Sequence, residues 1–354
     1  MLIIIIIWNS ALFLRLFVWQ EALGTVFISS AIFLVLSLTS FRQAVINSIP
    51  SSMKEGISAG IGLFISFVGL QSAHLIVASP ATLVTLGNFT DPVAYMSLIG
   101  LFISIVLVVN NVRGALFLGM IITSILSFLF GYITLPNTIF SAPEMGTTFM
   151  QMDIMGAISN NLYTIVFTFF IVTLFDTTGT MLGIAKQAGL MKNDKFPNVK
   201  SALLADSVAS IVGSIFGTSP TSAYVESGAG VASGGRTGFV NIIIAILFIL
   251  MLFTAPLAKV LATVPAVTAP ALIIVGFYMM SSLSRINWQD MQEAFPSFII
   301  VLMMPLSYSI TDAVGIGIIS YCLIKIFCGK AKQVHPLLYV FMLLFIIQFL
   351  AMHN

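Results

Sequence analysis

Charged residues are scarce in this sequence, and their scarcity excludes a soluble globular protein. Asp, Glu, Lys and Arg make up 7% of the 354 residues, whereas soluble domains contain about 25%. Hydrophobic residues make up 59%, and the mean hydropathy is +1.10. Because one spanning helix needs about 20 mostly apolar residues, the composition predicts an all-α polytopic membrane protein. We expect it in the cell membrane, with short loops.

Cysteines and basic patches are almost absent as well. The two cysteines, Cys322 and Cys328, lie near the end of one apolar segment, where the spacing favours neither a disulfide nor a metal site. The net charge is only +2, and basic residues interleaved with aromatics, which would indicate nucleic acid binding, do not occur. We interpret both cysteines as packing residues and expect no metal, no cofactor and no nucleic acid partner.

Apolar runs broken by glycine, proline or charge predict about eleven helices. The runs lie near 20–40, 55–75, 94–109, 114–133, 160–183, 200–216, 237–254, 266–283, 294–310 and 312–328, with a weaker run at 336–351. A cytoplasmic loop at 41–54 puts nearly all Lys and Arg on one side, as the positive-inside rule requires. Residues 1–18 do not have the pattern of a signal peptide, so we treat them as an atypical leader.

The stretch 218–236 differs from the other segments. Pro220 and the five glycines between 217 and 235 are too many for one regular helix. Irregular backbone at membrane depth is tolerated where it is buried in protein or lines a cavity. We therefore predict a short extended stretch at 221–226 that leads into a half-helix from about residue 227, a broken segment of the kind that forms transporter sites.

Asp176 is a carboxylate well inside an apolar helix. An ionised, unpaired carboxylate costs several kcal/mol in lipid, so such residues usually face a cavity and handle a substrate or a proton. Thr173 and Thr180 share its helix face, and Thr177 is adjacent. Asp176 is either a structural carboxylate bonded to these hydroxyls or a protonatable group that binds a ligand or couples a proton.

Glu226 is the second carboxylate, at the junction of the extended stretch and the half-helix. It lies beside the backbone N–H groups that begin at Ser227, and the nearby glycines allow a flat ligand to approach. Glu226 either caps the half-helix or accepts two N–H donors from a neutral heterocycle, and these roles are compatible. We interpret Asp206, near a helix end, as a structural polar residue together with Thr173 and Thr177.

Four motifs in this sequence belong to a recognisable pattern. They are Phe175-Asp-Thr-Thr-Gly-Thr180, Ala202-Leu-Leu-Ala-Asp206, Gly217-Thr-Ser-Pro-Thr-Ser-Ala-Tyr-Val-Glu-Ser-Gly-Ala-Gly230 and Pro305-Leu-Ser-Tyr-Ser-Ile310. With them the chain resembles the AzgA-like purine permeases of the nucleobase/ascorbate transporter superfamily. The resemblance extends from about Trp19 to the C-terminal region.

The resemblance implies an inverted-repeat nucleobase transporter fold of fourteen segments, in which two repeats of seven form a core and a gate. The eleven runs of this sequence match the fourth to fourteenth segments, with a broken tenth segment. The transporter domain is then residues 19–354. Its core-type segments lie at about 19–40 and 160–254, its gate-type segments at about 55–133 and 266–328, and a weak segment follows at 336–351.

The resemblance also implies import of adenine, guanine or hypoxanthine by proton symport. Asp176 is similar to the eighth-segment carboxylate that binds the purine, and Thr180 matches a polar position near it. Glu226 is similar to the tenth-segment carboxylate, with the backbone of Val225 and Ser227 beside it. Asp176 and Glu226 are both candidates for proton coupling. The expected partners are a purine base, protons and the bilayer, and a homodimer is compatible with this hypothesis.

Two alternatives stay open, and a third, from another class, is disfavoured by the sequence. The same fold could transport another nucleobase, such as uracil or xanthine. The chain could also be an inactive, N-terminally truncated copy, because the first three segments implied by the resemblance are missing and the stretch 221–226 then lacks its partner strand. An intramembrane aspartyl protease also needs two membrane carboxylates, but its Gly-x-Gly-Asp loop is absent from this sequence, so we expect no enzyme.

Overall fold

The computed structural model is built almost entirely from helices. It describes residues 19–39, 41–112, 114–133, 138, 140–142, 148–159, 163–191, 199–224, 227–232, 234–256 and 264–352. The helices are α1 Trp19–Leu38, α2 Phe41–Ser48, α3 Ser51–Ser72, α4 Pro92–Val109, α5 Ala115–Leu129, α6 Ile154–Ser159, α7 Tyr163–Gln187, α8 Val199–Ile215, α9 Ser227–Ala232, α10 Gly238–Phe253, α11 Pro265–Met279, α12 Met291–Ser307, α13 Ile310–Phe327 and α14 Pro336–Met352. Short 3-10 helices span Met280–Arg285 and Ala331–Gln333.

These helices confirm the all-α prediction, and each of the eleven apolar runs corresponds to one helix within a few residues at either end. Sequence reasoning missed the short helices α2 and α6. It also missed a β-hairpin, in which β1 (Ile76–Ser79) pairs antiparallel with β2 (Leu83–Leu86). All three elements are too short to produce a strong hydrophobic period. The interpretation of both cysteines as packing residues is wrong for Cys328, which is exposed, whereas Cys322 is buried.

The helices present apolar side chains on their outer surfaces. Five of the helical segments in the described part of the chain are long and apolar enough to cross a membrane. They are Trp19–Leu38, Ser51–Ser72, Pro92–Val109, Pro265–Arg285 and Ile310–Phe327. Helix α10 has no buried residue, and Phe239 and Phe248 are each at least 65% exposed. Because water would not solvate such surfaces, the structure is that of a multi-pass membrane protein.

Chain contacts divide the protein into two units. Unit 1 consists of Met1–Gly60, Met145–Tyr224 and Ser282–Asn354. Within it, α1 packs against α7 and α8, and α13 packs against α7, α12 and α14. Gly179 of α7 allows a close contact, because a Cβ atom there would lie 3.1 Å from Ile310 Cγ2 and 3.4 Å from Ile57 Cγ2. Helix α7 is therefore held by neighbours from α3 and α13.

Unit 2 consists of Ile61–Glu144 and Val225–Ser281. Its helices α4, α5 and α11 pack against one another. The start of α4 is fixed by Asp91, which accepts a hydrogen bond from Val93 N at 3.1 Å and pairs with His74 Nδ1 at 2.6 Å. The bond to His74 is the largest cause, and the bond from Val93 the next, of a lowered pKa for the Asp91 carboxyl. The core and gate assignment made from the resemblance stays a prediction.

Candidate functional site

Helix α7 carries the first group of candidate side chains. Asp176 lies within this 25-residue helix, although its side chain is outside the described residues. Thr180 is 2% exposed, and Thr173 is half-buried. Since residues three and four apart share a helix face, the observed helix places Thr173, Asp176 and Thr180 along one side of α7.

A buried hydrogen bond joins α7 to α8 one residue beyond Asp176. Thr177 Oγ1 donates to Asp206 Oδ2 at 3.2 Å, and the two residues are 0% and 7% exposed. Ser207, adjacent to Asp206, shares a hydrogen bond with Ser37 of α1 at 3.0 Å. A polar layer therefore crosses three helices of unit 1 at the level of the Asp176 backbone, and Asp206 forms part of the contact between helices.

Helix α8 ends at Ile215, and a turn held by another segment follows it. Met150 N donates to the carbonyl of Ile215 at 2.8 Å, and Thr148 Oγ1 donates to the carbonyl of Phe216 at 3.0 Å. Gly217 has φ = +85°, and a Cβ atom at this position would overlap Thr148. Glycine is required here for both its left-handed backbone and its lack of a side chain.

The broken segment begins directly after this turn. Residues 218–224 form neither helix nor strand, and α9 begins at Ser227, which is exposed. Ser210 Oγ of α8 donates to the carbonyl of Thr221 at 2.6 Å and so holds the irregular stretch. Within the described part of the chain, no strand pairs with 221–224. Val225 and Glu226 lie outside the described residues.

The described candidates lie on two helices, α7 of unit 1 and α9 of unit 2. Thr173, Thr177 and Thr180 occupy α7 around the Asp176 backbone, whereas Ser227 begins α9. Sequence reasoning missed the buried serines of α8 at positions 207, 210 and 214. Their spacing of three and four residues was the signal, because it predicts one polar helix face.

The polar side chains described on α7 and α8 are mostly hydroxyls. No cluster of three or more His, Cys, Asp or Glu that could hold a metal is found among the described residues. Hydroxyl groups both donate and accept hydrogen bonds, and a carboxylate accepts N–H donors. Thr221 Oγ1, also missed from the sequence, is buried without a hydrogen-bond partner among the described residues. Hydroxyls and carboxylates of this kind can bind a heterocycle through its edge.

Thr177→Val tests the polar layer. The substitution keeps the side-chain volume but removes one donor from the buried Asp206 carboxylate, which typically costs about 1–3 kcal/mol. We expect a lower melting temperature of the purified protein. Thr123→Val is the matched control, because the Thr123 hydroxyl donates within its own helix, to the carbonyl of Gly119 at 2.7 Å. Equal melting temperatures for the two variants would contradict a stabilising contact between α7 and α8.

Apolar spanning helices and a segment broken at 218–224 are typical of one class, the polytopic membrane transport proteins. A carboxylate carried within α7 is typical of the same class. The chain belongs to the permease family, which its residues 17–333 match. This match confirms the membership that the four motifs predicted.

Individual relatives agree with this assignment. The chain is 48% identical over 334 residues to the guanine/hypoxanthine permease PbuO of Bacillus subtilis (strain 168), covering 93% of this chain and 77% of the relative. It is 39% identical over 331 residues to the adenine permease AdeP of Escherichia coli (strain K12), covering 93% and 74%. Among solved structures, the transmembrane domain of the cyanobacterial bicarbonate transporter BicA matches with a TM-score of 0.48 and 16% identity, covering 84% of this chain and 76% of that one.

Proposed function

We propose that this chain imports purine nucleobases by proton symport and has no enzymatic activity. The observation that carries the proposal is the 48% identity over 334 residues with a guanine/hypoxanthine permease. Identity to an adenine permease is lower, at 39%. We therefore expect guanine and hypoxanthine to be better substrates than adenine. Both are 6-oxopurines with an N–H group on the six-membered ring, and a carboxylate can accept a hydrogen bond from this group.

Five residues form the proposed purine site. Asp176 and Glu226 accept N–H donors of the base, and the Thr180 hydroxyl bonds to another edge atom. The backbone groups of Val225 and Ser227 provide the remaining hydrogen bonds. The supporting observations are the helix face shared by Thr173, Asp176 and Thr180, the burial of Thr180 and the irregular backbone at 218–224.

Two membrane carboxylates support the proposed proton coupling. Desolvation disfavours a charged carboxylate, so a membrane carboxylate can take up a proton on one side and release it on the other. Asp176 is the stronger candidate, because apolar residues precede it on α7 and its neighbour Thr177 is fully buried. Glu226 is the second candidate for this role.

The other hypotheses make different predictions in the same assay. If the chain were a permease for uracil or xanthine, the unlabelled form of that base would reduce the uptake of a labelled base. An inactive copy would show no uptake until it is extended, and the chain spans 77% of the length of PbuO. The homodimer predicted from the resemblance stays a prediction, and it can be measured by the mass of the purified particle.

Uptake of labelled hypoxanthine, guanine and adenine by cells that lack purine permeases tests the proposal. We expect saturable hypoxanthine and guanine uptake, either by this chain or by a version extended with the upstream reading frame, and we expect an uncoupler to abolish it. Unlabelled uracil should not compete. Uptake by neither version would contradict the proposed substrates. Uptake that persists without a proton gradient would contradict the proposed proton coupling.

A further inference from the structure

A cavity of about 390 Å³ lies at one end of unit 1, within the range of small-molecule sites. It is formed by the end of α2, the start of α3, the first turn of α12, Tyr321 of α13 and the turn that leads into α14. No lining residue belongs to α7 or to α9. The cavity is therefore separate from the residues proposed above for purine binding.

Three titratable groups besides Tyr321 line the cavity: one lysine, one glutamate and one histidine, His335. Lys54, which is 4% exposed, supplies one positive charge, and Glu293 supplies one negative charge. Glu293 is fixed in place because Ser52 Oγ donates to its Oε2 at 2.5 Å. A cavity lined by one charge of each sign gives no net attraction to a free ion, so the lining favours a neutral polar ligand.

The other lining groups suit a flat heterocycle. Asn47 and Gln333 are exposed at the rim, and each side-chain amide offers both a donor and an acceptor. Tyr321, at 5% exposed, and Leu338, at 1%, give the interior apolar surface. The lining thus combines several polar side chains with a smaller apolar surface, and placed polar groups of this kind fix the orientation of a small organic ligand.

The first turn of α12, which carries Glu293, is anchored by basic residues. Lys325 Nζ and Lys330 Nζ each donate to Gln292 Oε1 at 3.2 Å. Because the positive-inside rule places this lysine-rich end in the cytoplasm, the cavity faces the compartment into which an importer releases its substrate.

We propose that this cavity is a second nucleobase site, filled from the cytoplasm by the base that the protein imports. The inference rests on the proposed function, since the ligand belongs to the transported class. Glu293 and the rim amides hydrogen-bond to the edge of the base, and Tyr321 and Leu338 contact its apolar faces. The site binds the base after release and is independent of Asp176.

Equilibrium binding of labelled hypoxanthine to the purified full chain tests the proposal. We expect two molecules per wild-type chain and one per Asp176→Asn chain. Adding Asn47→Ala to Asp176→Asn should raise the remaining Kd about tenfold, equivalent to ~1.4 kcal/mol for a lost hydrogen bond. Gln333→Ala provides a second, independent variant. Gln289→Ala removes an exposed amide outside the cavity and should leave the Kd unchanged.

The possible results separate this inference from the proposed function. One hypoxanthine per wild-type chain, lost in Asp176→Asn, would overturn the second site and leave the proposed function intact. An unchanged Kd in both Asn47→Ala and Gln333→Ala would also overturn the second site. So would displacement of the remaining hypoxanthine by inorganic phosphate, because the cavity would then be an anion site. Absence of both binding and uptake of every purine would refute the proposed function itself.

Discussion

Replacing Asp176 with Asn is expected to abolish purine uptake. The amide does not ionise or take up a proton at physiological pH. Its NH₂ group is a donor and therefore cannot accept a hydrogen bond from the N–H groups of the base. Hydrogen bonds to charged groups contribute about 1.5–3 kcal/mol, so binding alone should weaken at least about tenfold. If Asp176 also couples the proton, accumulation against a gradient stops completely. The measurement is uptake of labelled hypoxanthine, normalised to the amount of protein in the membrane.

Asp290→Asn is the matched control for this substitution. Asp290 caps α12 by accepting a hydrogen bond from Gln292 N at 3.0 Å. Since Asn caps helices about as well as Asp, this variant should transport at the wild-type rate. Wild-type uptake by Asp176→Asn would remove Asp176 from both of its proposed roles and leave Glu226 as the candidate for substrate and proton binding.

Gly276→Ala is expected to prevent unit 2 from folding correctly. Gly276 of α11 faces Gly62 of α3, and a Cβ atom there would overlap both the carbonyl oxygen of Gly62 and the hydroxyl of Ser66. The Ser66 side chain could rotate away, but the Gly62 carbonyl belongs to the α3 backbone. Helices α3 and α11 must therefore separate. Overpacking typically costs about 1–3 kcal/mol, and occasionally more; a clash with backbone, which cannot rotate away, belongs at the upper end. We expect little folded protein after purification and a clearly lower melting temperature.

Gly238→Ala shows whether this effect comes from packing or from glycine replacement in general. Gly238 is the first residue of α10, and a Cβ atom there meets nothing within 4 Å. Because alanine favours a helix by up to about 1 kcal/mol over glycine, this variant should be as stable as the wild type or more stable. Similar melting temperatures for Gly276→Ala and Gly238→Ala would contradict a backbone contact between α3 and α11.

The local features of the site were partly readable from the sequence. The pattern around Asp176 predicted a helix with Thr173 and Thr180 on its face, because helix periodicity is a property of nearby residues. Pro220 and the surrounding glycines predicted the break after α8 for the same reason. The hydrogen bond from Thr177 to Asp206 could not be predicted, because its partners are 29 residues apart and their register depends on how α7 packs against α8.

The sequence by itself determined the class of this protein and the approximate position of its helices. Long apolar runs are expected to become helices in lipid, because a helix satisfies its backbone polar groups within its own segment. Only the tertiary structure decided which helices touch. It placed Gly276 against Gly62, Ser210 against the carbonyl of Thr221, and Glu293 against Ser52. Two of these contacts join residues more than 200 positions apart, and all three depend on side-chain shape and close packing, which hydropathy does not encode.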